Sequence, residues 1–280
     1  MKDYTLKYGK GSVTFALDEA HVTELYGTPV PKIDDIRAAL YATLSSPVSH
    51  EPLESWVNPG DKVALIVSDM SRFWMRQDLV VPHIISYLTD KCDVNQNNIT
   101  IIIANGTHPG GDENELRTLV TDGVYDRIMV VNHDCQAKDL VYIGTTSLGT
   151  EVRINPIAAN ADKVIMLGAC TYHVMAGYGG GRKSILPGIS GLETIRQNHL
   201  HSLDLLAPRS NPLIGNGVND GNPLNEDMCQ AAAMVKNLFG INLVTNADMQ
   251  LAHIISGDPM KSWQLACHRV DEIYLSLIHI

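Results

Sequence analysis

Three short clusters combine residue types that can do chemistry. Asp69-Met70-Ser71-Arg72 directly follows an apolar run at 62–68, and Asn105-Gly106-Thr107-His108 follows another at 98–104. A third cluster, Cys170 to His173, closes the run at 162–167 and leads into a fourth stretch at 172–199. That stretch packs Gly177, Gly179, Gly180 and Gly181 into five residues, followed by Arg182, Lys183, Pro187-Gly188 and His199. An arginine guanidinium offers paired donors to a carboxylate or phosphate. In this reading Asp69 orients Arg72 and Ser71 bonds a phosphate oxygen. A histidine exchanges protons near neutral pH. Clustered glycines let backbone approach a ligand closely, and their N–H groups can form an anion nest, aided by the positive N-terminal end of a helix just downstream. Lys183 beside them reads as either a phosphate counter-charge or a nucleophilic amine. From residue types alone the ligand is phosphate-bearing.

Two common motifs are absent. A Walker A loop needs glycine immediately before the lysine, and Arg182 stands there. A G-x-G-x-x-G started at Gly177 meets Arg182 at its last position, and one started at Gly179 meets Ser184. The plainer readings are a flexible strand-to-helix turn for the glycines, a surface ion pair at 69–72, and a turn histidine at 108.

The stretch at 172–199 resembles the signature of the nickel-pincer lactate racemase family, the LarA-like 2-hydroxyacid racemases. Asp69 to Arg72 is similar to that family's Asp-x-Thr-Arg motif, and Gly106-Thr107-His108 matches its Gly-Thr-His motif. The resemblance implies a cofactor, the nickel-pincer nucleotide (a Ni(II) pyridinium-3,5-bisthiocarboxylate mononucleotide), tethered through a thioamide to Lys183. It implies His199 as the protein's nickel ligand, His108 and His173 as the catalytic acid/base pair, and Asp69, Met70, Ser71 and Arg72 as cofactor contacts. It further implies a small-molecule 2-hydroxy acid substrate and cofactor-synthesis proteins as partners. Two departures stand out. Ser71 replaces the usual threonine and keeps its hydroxyl, while Phe73-Trp74-Met75 replaces a proline-containing continuation and bears on the pocket's shape. Of the neighbouring histidines, His201 is expected to be solvated, and His133 and His253 structural. The resemblance runs from Tyr8-Gly9-Lys10 to about residue 270. It implies one domain over 1–270, with 271–280 as the start of a further domain.

Two rival functions stay open on the residues: a phosphate- or nucleotide-binding enzyme without nickel, and a non-catalytic cofactor-binding domain. Bulk properties narrow the field. The chain has 280 residues, 45% hydrophobic and 19% charged, as in globular domains. A net charge of −10 argues against a nucleic-acid surface. The five cysteines are odd in number and form no CxxC pair, which reads as reduced thiols and a cytoplasmic setting. No apolar run reaches the ~20 residues of a membrane span, and residues 1–10 are too polar for a signal peptide.

The elements that must position these residues follow from hydrophobic pattern. Continuous apolar runs at 62–68, 98–104, 126–131, 162–167 and 240–245 suit strands buried on both faces. Helical patterns at 34–44, 79–91, 112–121, 224–238 and 259–275 alternate with them, and short strands around a Gly9-Lys10-Gly11 turn open the chain. The fold class is therefore α/β: a mostly parallel, twisted, Rossmann-like sheet with helices on both faces. Ligands of such sheets sit beyond the carboxyl ends of the strands. The clusters at 69–72, 106–108 and 170–173 must then face one crevice.

Overall fold

The computed structural model describes residues 1–9, 11–23 and 28–278, with no side-chain description for Lys7 or residues 275–278. Lys10 of the expected opening turn, and the last two residues, lie outside it. The chain opens with an antiparallel hairpin of β1 (Lys2–Tyr8) and β2 (Gly11–Leu17). Next come α1 (Ile36–Ser45), α2 (Leu53–Trp56), β3 (Val63–Ser68), α3 (Val81–Asp90), β4 (Ile99–Ala104), α4 (Glu113–Val120), α5 (Asp122–Tyr125) and β5 (Met129–Asn132). A second hairpin, β6 (Val141–Thr145) with β7 (Glu151–Ile154), precedes α6 (Pro156–Ala159) and β8 (Lys163–Ala169). The two-residue strands β9 (Tyr172–His173) and β10 (Gly177–Tyr178) pair across the start of the glycine loop. Then follow α7 (Leu192–Leu200), α8 (Pro223–Ala233), β11 (Leu238–Thr245), β12 (Leu251–Gly257) and α9 (Pro259–Ile278).

Six strands form the central sheet in the order β12-β11-β8-β3-β4-β5. Every neighbouring pair is parallel except β11 with the edge strand β12. The α/β class and mostly parallel sheet are as expected. The chain runs outward from β3 through β4 to β5, then crosses back to β8 on the other side of β3. This reversal puts a crevice at the carboxyl ends of β3 and β8.

Both faces of the sheet are buried, as continuous apolar strands require. On β3, Leu65 and Val67 join a core with Leu40 of α1 and Ile84 and Leu88 of α3, while Ala64 and Ile66 join a second core with Leu224 and Met228 of α8. Burying one such side chain contributes roughly 1.5–3 kcal/mol. The helices are capped from their own sequence. Asp35 accepts from the Ala38 amide at the start of α1, and Asp112 and Glu115 form a reciprocal capping box on α4.

Several boundaries differ from expectation. α8 stops at Ala233 rather than 238: the Met234 and Val235 amides bond back three residues, to Ala231 O and Ala232 O, in a tightened last turn, and Asn237 at φ +49° then turns the chain into β11. β5 begins at Met129 rather than 126, since Asp126 and Ile128 still bond back to the helical turn of α5. The β6–β7 hairpin and β12 have no counterpart in the pattern reading. Among the described residues no helix is long and apolar enough to cross a membrane, and all five cysteines are free thiols.

Candidate active site

The carboxyl ends of β3, β4 and β8 open on one cleft of about 240 Å³. Asp69, Ser71, Arg72, His108, His173, Lys183 and His199 all line it. The three clusters do converge on one rim. Met70 is the exception among the expected site residues: its side chain packs on the core beneath β3.

Asp69 follows β3 and is almost wholly buried, which makes its carboxylate a strong local acceptor. His108, on the turn after β4, bonds it with Nδ1 to Oδ2 at 2.5 Å. The Ser71 hydroxyl donates to Asp69 Oδ1, also at 2.5 Å. Arg72 Nη1 in turn donates to the Ser71 hydroxyl at 2.9 Å. This corrects the expectation for Asp69. Its carboxylate orients His108 directly and reaches Arg72 only through Ser71. A carboxylate on Nδ1 holds the proton there and leaves the lone pair on Nε2.

Across the cleft, Lys183 Nζ lies 3.0 Å from His173 Nε2. The other ring nitrogen of His173, Nδ1, accepts backbone N–H bonds from Met175 at 3.2 Å and Ala176 at 3.1 Å. Burial, followed by the charges of Arg182 and Arg72, pushes the Lys183 pKa down to about 7. Lys183 as a whole is partly exposed along the cleft; it is the dense packing around its amine that drives the shift. Burial and the nearby cations Lys183, Arg72, Arg182 and His199 hold His173 down at about 3. A lysine that is uncharged near neutral pH is a nucleophile.

His199 sits in the last turn of α7. Its Nδ1–H donates to the Ile195 carbonyl at 2.9 Å, which leaves Nε2 as the donor atom toward a ligand. Burial lowers its pKa, favouring the neutral form.

The sequence profile of the lactate racemase N-terminal domain matches residues 8–209. The chain belongs to the lactate racemase N-terminal domain family. It is 27% identical to the lactate racemase of Thermoanaerobacterium thermosaccharolyticum, over 98% of this chain and 63% of that protein. It is also 27% identical to the lactate racemase of Lactiplantibacillus plantarum, over 96% of this chain and 62% of that protein. The chain thus spans about three fifths of the length of these relatives. The solved apoprotein of the Thermoanaerobacterium lactate racemase superposes with a TM-score of 0.84 at 25% identity, over 97% of this chain and 63% of that one. A protein from Thermotoga maritima, 18% identical, shares the fold with a TM-score of 0.65, over 89% of this chain and 61% of that one.

In this member of the lactate racemase family much of the glycine loop is turned inward rather than forming the open anion nest expected from its composition. The N–H groups of Gly179, Gly181 and Lys183 donate to Thr171 O, Asn242 Oδ1 and Gly180 O. Its glycines serve close packing instead. A Cβ on Gly181, at φ +49°, would lie 2.7 Å from the Trp263 ring, and one on Gly168 of β8 would lie 3.1 Å from Gly180 Cα. Nor does α7 point its N-terminus at the cleft. Ile195 and His199 line it, so α7 presents its side and last turn.

Sequence reasoning treated Arg182 only as the residue that breaks a Walker motif. It is fully buried and donates to the carbonyls of Ala176, Tyr178, Gly179 and Gly180 and to Asn225 Oδ1, under the Trp263 ring at 3.8 Å. The loop is wrapped around this guanidinium, which also supplies positive charge beside Lys183. Asp227 was missed as well. It is wholly buried on α8 and accepts from Thr146, Thr150 and Asn198, so it ties α7 to α8 beside His199. His201 is not solvated as expected. It is half-buried 4.0 Å from Asp227, and its Nε2 is buried without a hydrogen-bond partner. His133 is structural, donating from Nε2 to Ser190 O at 2.9 Å. The signal for Arg182 is a charged residue inside a glycine-rich stretch, since such a residue is buried only when saturated with partners; Asp227, beside Asn225 and Glu226, carries no such signal.

Proposed function

We propose that this chain forms the cofactor-binding and proton-handling part of a 2-hydroxy acid racemase acting on a lactate-like substrate. The observation that carries this reading is the pairing of His108 with Asp69 and of His173 with Lys183 around one cleft that also holds Arg72. Racemisation needs a proton-handling group for each enantiomer, and besides His199 the cleft holds two histidines, His108 and His173. The kinship with lactate racemases supports the substrate class.

The residues fit a lysine-tethered nickel-pincer nucleotide. Lys183 offers a buried amine of lowered pKa as the attachment atom, and His199 Nε2 offers one imidazole donor of a kind suited to nickel. Among the described residues no group of three His, Cys, Asp or Glu side chains could hold a metal. A nickel ion here would therefore draw its remaining ligands from the pincer itself. When bound, that group supplies hydride chemistry at the substrate Cα.

The protein's own part is to bind, orient and move a proton. Arg72 pairs with the substrate carboxylate or a cofactor phosphate. His108 Nε2 accepts the hydroxyl proton of one enantiomer, and Asp69 stabilises the imidazolium that forms. His173 serves the other enantiomer. A nickel-free phosphate enzyme is less well supported, because three of the loop amides, those of Gly179, Gly181 and Lys183, are occupied within the protein.

The test is the intact mass and nickel content of the protein made in cells that also produce the pincer cofactor and its synthesis proteins. A mass increment on Lys183 with about one nickel per chain is expected, and His199→Ala is expected to lose the nickel. An unmodified Lys183 without nickel, in this chain and in one extended to its relatives' length, refutes the reading. His108→Gln should retain the increment and lose racemisation; retained racemisation removes His108 from its role.

A further inference from the structure

The hydrogen bonds around His173 decide where its ring proton sits. Nδ1 accepts from two backbone amides, Met175 N–H and Ala176 N–H. A nitrogen that accepts cannot carry a proton, so the neutral ring carries it on Nε2. That Nε2–H points at Lys183 Nζ, 3.0 Å away. An ammonium has donors only, so it cannot complete this contact; a neutral amine has a lone pair and can. The Lys183–His173 pair is therefore consistent only with an uncharged Lys183. Burial independently favours the same state for both groups.

The same geometry sets a limit. With Nε2 protonated and Nδ1 occupied, His173 can neither take a proton nor give one up without becoming an imidazolate. In the state seen here it is not a base. Acylation of Lys183 changes its partner. The new bond joins Nζ to the acyl carbon, the bond from that carbon to its leaving group breaks, the leaving group departs with its electron pair and takes up the proton lost by the amine, and the nitrogen lone pair is delocalised into the new group. What remains at Nζ is an N–H donor, facing a ring nitrogen that is also a donor.

We propose that His173 is a positioning residue for cofactor attachment as well as a base, and that attachment at Lys183 is what arms it. Before attachment its Nε2–H holds the Lys183 amine neutral and in place. After attachment the ring must reverse its tautomer, placing the proton on Nδ1 and the lone pair on Nε2, and it releases the Met175 and Ala176 amides. The loop at 173–177 thereby senses the state of Lys183. This inference rests on the reading of Lys183 as the attachment point.

The test needs neither nickel nor turnover. Protein labelled with ¹⁵N-histidine is compared by NMR before and after acylation of Lys183 with acetic anhydride, in which Nζ gains an acetyl group and acetate and one proton are released. The His173 signals are assigned by their loss in His173→Gln and, should that variant fold poorly, in His173→Asn. Unmodified protein is expected to show a protonated Nε2 and an unprotonated Nδ1. Acetylated protein is expected to show the reverse, with faster solvent exchange at the Met175 and Ala176 amides. A protonated Nδ1 before acetylation, or an unchanged tautomer after it, overturns the proposal. The outcomes separate from those of the function itself. If the pincer loads on Lys183 and the tautomer stays fixed, this inference fails and the racemase reading stands. If the tautomer reverses on acetylation but no pincer ever loads, the racemase reading fails and the coupling stands.

Discussion

Asp69 holds two neighbours with one anion, and that makes it the residue on which the arrangement of this side of the cleft depends. Its carboxylate fixes the His108 tautomer and, through Ser71, the direction of Arg72. Asp69→Asn keeps the shape and removes the charge that would stabilise a protonated His108. On the proposed racemase reading, kcat of the cofactor-loaded protein should fall by about 10²–10⁴, with any mass increment at Lys183 unchanged. Lys183 shows the other residue-scale effect. Its pKa is about 7 in the folded chain, against roughly 10.4 in an unfolded one. Between these values the unfolded state binds the extra proton, so stability rises with pH across the window, and below about 7 the full penalty is present. Lys183→Met should therefore raise the stability measured by urea unfolding at pH 7. A gain on the order of 1 kcal/mol is expected, allowing for solvent along the cleft, and it should shrink as pH approaches 10.

The glycine loop is the element that brings Lys183 to the cleft, and it is held by packing and by one buried cation. Arg182 satisfies the carbonyls that the tight turns of Ala176 to Gly180 would otherwise leave unpaired. Trp263 of α9 closes the loop from behind, donating from Nε1 to Gly179 O at 2.8 Å. Gly181→Ala places a Cβ against that ring in a left-handed backbone. It should cost about 1–3 kcal/mol in urea unfolding, and it should also disturb the resonances of Lys183 and Trp263. An unchanged unfolding midpoint would mean that the loop is looser than its contacts imply.

For the molecule as a whole, the site depends on a sheet sealed on both faces. Leu65 and Ile66 are neighbours on β3 that point to opposite cores, and both are fully buried. Leu65→Ala and Ile66→Ala should each lose about 2–5 kcal/mol, measured by urea or thermal unfolding, despite lying outside the cleft. A small loss in only one of them would mean that the helices on that face close over the cavity. The β1–β2 hairpin is a contrast: β2 is exposed along its whole length, so Phe15→Ala there should change stability by far less.

Much of this was legible in the amino-acid order. Continuous apolar runs specify strands buried on both faces, and alternation with helical periodicity specifies a parallel sheet. Polar clusters at the ends of those runs must then meet on one rim, which is where Asp69, Arg72, His108, His173 and Lys183 lie. These are local regularities, and local order decides them. The short β6–β7 hairpin and the edge strand β12 escaped because strands this short, or at an edge, leave little periodic signal. The partners of each side chain were not legible either. That Asp69 serves His108 rather than Arg72, that Arg182 is a buried clamp, and that Asp227 anchors the helix carrying His199 all depend on contacts between residues far apart in the chain. Hydrogen-bond partners are chosen by distance and angle in three dimensions, and only the folded chain supplies those.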